Sequence, residues 1–150
     1  MPSKKILITG MSGLIGTIVR QHLEDEYSLR AHNRRPVQDL ETHQADIANL
    51  EAIQPAFENI DTVIHLAAEL NDSWPDILQT NIVLTYNVFE AARRADVKRV
   101  VFASSGSTMN GWERETPYNA LVAGDYAAVP PNWPQPHPRN SPAPQRPLRL

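Results

Sequence analysis

The sequence predicts an α/β fold built around a doubly wound parallel sheet. Short apolar runs such as KILIT at 5–9 alternate along the chain with segments whose apolar residues recur at helical spacing. Three glycines stand between the first apolar run and the first helical segment. Because a parallel connection must cross over through a helix, this alternation is typical of a parallel sheet.

The order of elements follows from the same patterns. Pro55 is expected to shorten or kink the second helix. The third helix is capped by Asp72 or Ser73 and is predicted to carry its apolar stripe on Leu78, Ile82, Phe89 and Ala92. The predicted strands are 5–9, 28–33, 42–46, 61–68 and 97–105, and the predicted helices are 14–26, 48–60 and 73–95.

The composition changes near the end of the chain. The 150 residues are enough for one domain, and eight of the 13 prolines fall within 130–150. Proline lacks a backbone donor and biases its predecessor away from the helical region, so an irregular tail is expected there. The sequence thus predicts an α/β domain over 1–112, followed by a loop and a proline-rich tail over 113–150.

Several classes of function are disfavoured by composition. The formal charge of −3 gives no electrostatic footprint for nucleic acid or an anionic membrane. There is no cysteine, and the five histidines show no paired ligand spacing, so no metal site is expected. Neither a G-x-S-x-G elbow nor a P-loop lysine is found. Without an apolar span or a leader, a cytoplasmic location is expected.

Gly10, Gly13 and Gly16 form a G-x-x-G-x-x-G pattern between strand and helix. Glycines at such a turn let the backbone bend sharply and approach a pyrophosphate, while the helix N-terminus supplies free N–H groups. The alternative is a plain tight turn. The strand before the pattern and the amphipathic helix after it favour a dinucleotide site in a Rossmann-like fold.

Asn33 follows the second predicted strand, where the adenosine ribose of a dinucleotide is usually bound. A carboxylate at this position repels a 2′-phosphate, whereas Asn33 followed by Arg34 and Arg35 removes the repulsion and offers guanidinium groups. This pattern favours NADP slightly over NAD. The alternative is that both arginines are solvated loop charges.

Five ordered segments resemble the extended short-chain dehydrogenases, the NAD-dependent epimerase/dehydratase family. The resemblance covers about residues 4 to 111 and implies an NAD(P)-dependent enzyme that acts on sugars or nucleotide sugars by hydride transfer. It also implies that only the N-terminal part of the family's fold is present. The segments are LITGMSGLIG (7–16), ADIANLEAI (45–53), DTVIHLAA (61–68), NIVLTYNVFEAA (81–92) and KRVVFASSGS (98–107).

The resemblance also implies a set of cofactor contacts. Each residue taken singly has an ordinary structural alternative: core packing for HLAA, a loop carboxylate or helix cap for Asp46, and a polar helix face for Asn81. Ligands of open parallel sheets bind beyond the carboxyl ends of the strands, and the glycine loop, LAA (66–68) and SS (104–105) all follow such ends. The expected contacts are Gly10, Gly13, Leu14, Ile15 and Gly16 to the pyrophosphate, Asp46 and Ile47 to the adenine, Leu66, Ala67 and Ala68 behind the fourth strand, Asn81 near the nicotinamide half, and Ser104.

Ser105 matches the catalytic hydroxyl of the resembled family, in which a Tyr-x-x-x-Lys pair transfers the proton. A neighbouring cation is needed because an unperturbed tyrosine, with a pKa of about 10, is a poor base. Lysine follows none of the four tyrosines at that spacing, since the residues found there are Ala31, Glu90, Val122 and Pro130. A truncated chain with slow or absent hydride transfer is therefore expected.

Two interpretations remain open. The first is an enzyme acting on a sugar-like alcohol, whose full-length form is a homodimer packed through the helix at 73–95. The second is a non-catalytic NAD(P)-binding sensor or partner-binding module. In the first case the truncated chain would expose apolar surface and be poorly soluble.

Overall fold

A computed structural model describes residues 4–69 and 73–128, with only the backbone described at 107–110. The chain divides into two compact units between Ala103 and Ser104. That division falls at the end of the last strand, earlier in the chain than the domain boundary after residue 112 predicted from composition.

The first unit contains a five-stranded sheet in which all neighbouring strands are parallel. The strand order is β3-β2-β1-β4-β5, so β1 is central and the chain extends the sheet first to one side and then to the other. The predicted α/β fold class is confirmed. The strands are β1 (Lys5–Thr9), β2 (Ser28–His32), β3 (Glu41–His43), β4 (Thr62–His65) and β5 (Arg99–Phe102).

Helical segments connect the strands except β2 and β3, which are joined by a loop without a helix, contrary to the expectation that every parallel connection crosses over through one. Pro55 acts as predicted, because α2 gives way at Gln54 to a 3₁₀ turn with the proline at its start. The long helix predicted at 73–95 is continuous but contains a π-helical segment. The segments are α1 (Leu14–Leu23), α2 (Leu50–Ile53), the 3₁₀ turn Gln54–Phe57, α3 (Trp74–Ile77), the π segment Leu78–Val83 and α4 (Leu84–Arg94).

Two apolar clusters cover the two faces of the sheet, since successive side chains of a strand point to opposite faces. Leu7 and Val63 belong to the larger cluster with α2 and α4, whereas Ile6 and Ile8 belong to the smaller cluster on the side of α1. The larger cluster contains Leu7, Ile53, Ala56, Phe57, Ile60, Val63, Leu84, Val88, Ala91 and Ala92, and the smaller contains Ile6, Ile8, Met11, Leu29 and Ala31.

Some strand ends differ from the prediction. β4 ends at His65 rather than at Ala68, because the Ala67 N–H donates to the side-chain hydroxyl of Thr9 on β1 and not to a backbone carbonyl of that strand. β5 is also shorter than the predicted 97–105. Apolar composition continues past the end of each strand, so it overstates strand length.

The predicted apolar stripe of the long helix is wrong for three of its four residues. Leu78, Ile82 and Phe89 are exposed, and only Ala92 is buried. A π-helical turn contains more residues than an α-helical turn, so one helical period cannot phase both halves of this helix. The face that packs on the sheet carries Leu84, Asn87, Val88, Ala91 and Ala92.

The second unit, from Ser104, holds short helical pieces. The 3₁₀ segment Gly106–Arg114 is followed by α5 (Tyr118–Val122) and the 3₁₀ turn Tyr126–Ala128. The Trp112 and Tyr118 rings meet edge to face at 4.9 Å. The part of 113–150 that is described therefore contains a helix, while the proline-rich tail from 129 onward lies outside the described residues.

Candidate functional site

The carboxyl ends of the two central strands meet closely at Gly10 and Ala67. Gly10 has φ +72°, and a Cβ placed on it would lie 2.7 Å from the Ala67 nitrogen. Both the left-handed backbone and the missing space require glycine at this position. The sequence-predicted residues Gly10, Leu66 and Ala67 are thus brought together at one edge of the sheet.

Thr9 connects the same two strands through its side chain. Its hydroxyl oxygen accepts from the N–H groups of Leu66 and Ala67, both at 3.3 Å, and lies 2.6 Å from His65 Nδ1. Both lone pairs of this hydroxyl are used in accepting from the two N–H groups. Its one hydrogen is therefore donated to His65 Nδ1. His65 then carries its own hydrogen on Nε2 and donates it to Thr85 Oγ1 on α4 at 3.2 Å.

Burial lowers the pKa of His65 to about 4, so the ring is neutral at pH 7. This agrees with the tautomer that its partners require, in which Nδ1 accepts a hydrogen bond. His65 is thus a packed core residue whose two ring nitrogens are both hydrogen-bonded.

Helix α1 begins directly above this junction. Gly13 is the N-cap residue, and no side chain caps the first turn. The Gly13 N–H donates to Gly10 O at 3.0 Å, which closes the loop. Leu14 and Ile15 are exposed in the first turn, and Gly16 is buried against the loop. The first amides of a helix have no intrahelical acceptor, so this turn offers donors to an anion.

Asn33 is buried directly after β2, and its N–H donates to His43 O at 3.2 Å. Arg34 and Arg35 are exposed, and neither guanidinium has a hydrogen bond or ion pair within the described part of the chain. His32 stacks on His43, with ring centroids 5.6 Å apart. Desolvation, with a smaller contribution from His43, lowers the pKa of His32 to about 4.

The segment at 46–48 follows β3 at the same edge. Asp46 is exposed and accepts from the Ala48 N–H at 3.0 Å. Asn87 on α4 donates from Nδ2 to the carbonyl oxygens of Ile47 and Ala48, at 3.1 and 2.8 Å. Asp46 and Ile47 therefore sit in a loop that is bonded both within itself and to the interior.

Asn81 lies in the π segment and pairs with the backbone of Glu69. The Glu69 N–H donates to Asn81 Oδ1 at 2.8 Å, and Asn81 Nδ2 donates to Glu69 O at 2.9 Å. Asn81 thus holds the residue that follows Leu66, Ala67 and Ala68. π-helical turns are frequent at functional sites, and this one places the amide beside that segment.

Ser104 and Ser105 are exposed and begin the second unit. β5 ends at Phe102, and the Ala103 N–H still donates to His65 O at 3.1 Å. The assignment of Ser105 as a catalytic hydroxyl and of Ser104 as a cofactor contact therefore stays a prediction.

Three residues that sequence reasoning did not assign to the site organise its edge: Thr9, Thr85 and Asn87. Asn87 carried a usable signal, because an amide among Leu84, Val88 and Ala91 on one helix face needs a buried partner. Among the described residues, no group of three or more His, Asp or Glu side chains could hold a metal ion. No helix in that part of the chain is long and apolar enough to span a membrane.

The parallel sheet carries a glycine loop, an uncapped helix start and polar loops at one edge. This arrangement is typical of dinucleotide-binding α/β proteins. The model of the NAD dependent epimerase/dehydratase family matches residues 6–134. The chain belongs to this family.

Curated relatives include the L-arabinose 1-dehydrogenase (NAD(P)(+)) of Haloferax volcanii, which is 36% identical over 103 residues. The alignment covers 67% of this chain and 41% of that enzyme. The uronate dehydrogenase of Agrobacterium fabrum is 33% identical over 112 residues. That alignment covers 71% of this chain and 42% of the enzyme. The chain thus spans about two fifths of these relatives.

Solved structures of the same kind are similar in fold. The uronate dehydrogenase from Agrobacterium tumefaciens matches with a TM-score of 0.66 at 33% identity, over 73% of this chain and 43% of that one. A mutant of that enzyme complexed with NAD matches with a TM-score of 0.65 at 33% identity, over 71% and 42% of the two chains.

Proposed function

We propose that this chain binds a nicotinamide dinucleotide along the carboxyl edge of its sheet, as the cofactor-binding part of an oxidoreductase that acts on a sugar-like alcohol. The observation that carries the proposal is the close approach of Gly10 to Ala67 beneath the uncapped start of α1. A pyrophosphate fits there because backbone N–H groups are exposed and no side chain intervenes.

Binding of the adenine is assigned to Asp46 and Ile47. The Asp46 carboxylate is exposed, and the Ile47 N–H has no acceptor within the described residues. An acceptor beside a donor complements the adenine edge, where the 6-amino group donates and N1 accepts. When bound, the cofactor supplies hydride transfer, and these residues hold and orient it.

The proposal is tested by titrating the chain with NADH and NADPH while following the fluorescence of the reduced cofactor. Gly10→Ala is expected to abolish binding, because its Cβ meets the Ala67 backbone. Gly106→Ala is the matched control, since apart from its chain neighbours no described residue comes within 4 Å of the added Cβ. Flat titrations of the folded parent chain would reject the proposal.

A preference for NADP is proposed from the guanidinium groups of Arg34 and Arg35, which have no ion pair among the described residues. A 2′-phosphate would bind to either arginine without breaking an ion pair seen in that part of the chain. Arg34→Ala is expected to weaken NADPH binding by about tenfold and to leave NADH unchanged. Equal loss for both cofactors would instead mean that the arginine acts through general charge.

Catalysis is assigned to Ser105 together with a Tyr-x-x-x-Lys pair that the 150 residues do not contain. The names of the relatives support a sugar substrate: L-arabinose 1-dehydrogenase and uronate dehydrogenase. Without a tyrosine and lysine one helical turn apart, the chain alone is proposed to bind cofactor with slow or no turnover.

A second candidate, a non-catalytic sensor or partner-binding module, is favoured by the same missing pair. NADPH binding without turnover on arabinose and glucuronate is expected for the isolated chain under both candidates. Fusing the remaining C-terminal part of a relative to this chain distinguishes the two candidates. Only the cofactor-binding part of an enzyme would then gain turnover.

A homodimer is proposed for the full-length protein. Leu78, Ile82, Tyr86 and Phe89 are exposed along the long helix, and such an apolar face is typical of an interface. Light scattering of a full-length form should give twice the monomer mass, and Phe89→Ser should reduce it toward the monomer. A monomeric parent would reject this assignment.

A further inference from the structure

The loop that follows β3 is bonded within itself. Asp46 accepts from the N–H of Ala48 through its side chain, at 3.0 Å, and from the N–H of Asn49 through its carbonyl, at 2.9 Å. Asn49 in turn accepts from the Ala52 N–H at 3.1 Å and caps α2. These bonds set the local turn, but they do not connect it to the core of the protein.

Ile47 packs partly on the larger cluster, and Asn87 supplies the hydrogen-bonded connection from the interior. It is 5% exposed and lies on the core face of α4, near Leu84 and Val88. Its Nδ2 donates to the carbonyl oxygens of Ile47 and Ala48. A side-chain amide has two N–H donors, so both are used on consecutive residues of one loop.

The direction of these bonds determines which groups of the loop stay accessible. With the carbonyls of Ile47 and Ala48 turned toward Asn87, the Asp46 carboxylate is exposed and the Ile47 N–H has no partner in the described part of the chain. The two groups assigned to the adenine are therefore held in place by an amide that does not itself belong to the loop.

We infer that Asn87 is a positioning residue for the adenine end of the cofactor site, acting through the two carbonyl groups that it holds. The inference rests on the proposed function. The proposed site then has two ends. Asn87 on α4 positions the adenine end, and Thr9 at the end of β1 with the following Gly10 positions the phosphate end.

Gln54 offers a matched control. It also packs against α4 and bridges two elements, since its Nε2 donates to Ala91 O at 3.2 Å. In the described structure the Gln54 side chain makes no hydrogen bond to the loop at 46–48, so a substitution at Gln54 disturbs the same helix without releasing the loop. If Asn87 has only a structural role, substitutions at Asn87 and at Gln54 should change the affinity for the cofactor to the same extent.

The test measures the affinity of the whole 150-residue chain for two halves of the cofactor, ADP-ribose and reduced nicotinamide mononucleotide. Asn87→Leu is expected to weaken ADP-ribose binding by about tenfold, with mononucleotide binding unchanged. Gln54→Leu is expected to lower the melting temperature while leaving both affinities as in the parent chain.

The outcomes are distinguishable. A parent chain that binds neither half rejects the proposed function itself. A parent chain that binds ADP-ribose together with an Asn87→Leu variant that binds it equally well rejects only the role of Asn87. Equal losses for both halves, or the same losses in Gln54→Leu, would reduce Asn87 to a structural residue.

Two further measurements apply if Asn87→Leu does not fold. Asn87→Asp keeps the shape of the side chain and removes its donors, so it should show the same selective loss. In the unmodified chain, exchange of the Asn87 side-chain amide hydrogens should slow when ADP-ribose binds and stay constant with the mononucleotide. Unchanged exchange with ADP-ribose would overturn the inference.

Discussion

The two faces of the sheet are held in different ways. On one face α1 buries only Gly16 completely, and Leu14 is 81% exposed in its first turn. On the other face α4 buries five residues, including the polar Asn87. The helix whose start is assigned to phosphate binding thus buries one glycine and packs the partly buried Val19 and Leu23 on the smaller cluster, while the helix behind the adenine loop buries five residues along its length.

Polar residues are distributed just as unequally. Thr9, His32 and His65 occupy neighbouring register positions at the carboxyl ends of three strands, with Thr9 opposite both histidines. They lie on the face covered by α2 and α4, as the bond from His65 to Thr85 shows. The buried titratable groups of the sheet are concentrated on the side that carries the larger core.

The largest change in the free energy of unfolding is expected from pH. It tests the face of the sheet covered by α2 and α4. His32 and His65 have pKa values of about 4 in the folded chain, below the ordinary value of 6.5. The unfolded chain binds more protons between these values, so stability falls as pH drops from about 6.5 to 4. Each histidine should account for roughly 3 kcal/mol, measured by urea unfolding across that range.

A variant separates the two contributions. His32→Phe keeps a ring against His43 and removes an Nδ1 atom that is buried without a partner in the described structure. It should remove about half of the pH dependence. An unaltered slope would show that the acid-sensitive groups lie elsewhere.

Gly16→Ala tests the one residue of α1 that is buried. A Cβ at this position would overlap the carbonyl oxygens of Gly10 and Met11, and backbone atoms cannot turn aside as a flexible side chain does. We expect a loss of about 2 to 3 kcal/mol in the free energy of unfolding. Denaturant titration measures it, with Gly106→Ala as the unhindered counterpart.

Val88→Ala tests the anchoring of α4. Val88 is completely buried in the larger cluster, and removing two methyl groups leaves a void beside the sheet. The expected loss of unfolding free energy is about 2 kcal/mol. A loss near zero would contradict the view that this helix is held along its length.

The smallest effect is expected at Ile18 on α1. This side chain is about half exposed, so Ile18→Ala should change the unfolding free energy by no more than about 0.5 kcal/mol. Measured beside Val88→Ala, it compares an aliphatic truncation on each helix. Similar losses at the two sites would remove the contrast between the faces.

Much of the fold was predictable from the sequence, because β1, the glycine loop and α1 each have a strong local pattern. The face of the long helix was not, since Leu78 and Phe89 are apolar but exposed while Leu84 and Val88 are apolar and buried. Local composition does not reveal which of two apolar faces meets the sheet, and the π segment changes the phase between them.

The residues of the candidate site likewise include some that the sequence predicted and some that it did not. Gly10 and Gly16 were recognisable because their spacing and flanking elements form one continuous pattern. Asn87 and Thr9 were missed because their partners are distant in sequence: Asn87 reaches Ile47, and Thr9 reaches Ala67. The helix face of Asn87 indicates a buried amide, but nothing near it in the sequence identifies the partner of a long-range hydrogen bond.

The strand order has a consequence for synthesis on the ribosome. Each strand joins the sheet beside one that has already emerged: β2 beside β1, β3 beside β2, then β4 on the free side of β1 and β5 beside β4. No strand has to be inserted between two that are already paired. This strand order therefore allows the sheet to assemble outward from its first strand in the order of translation, without reopening any earlier pairing.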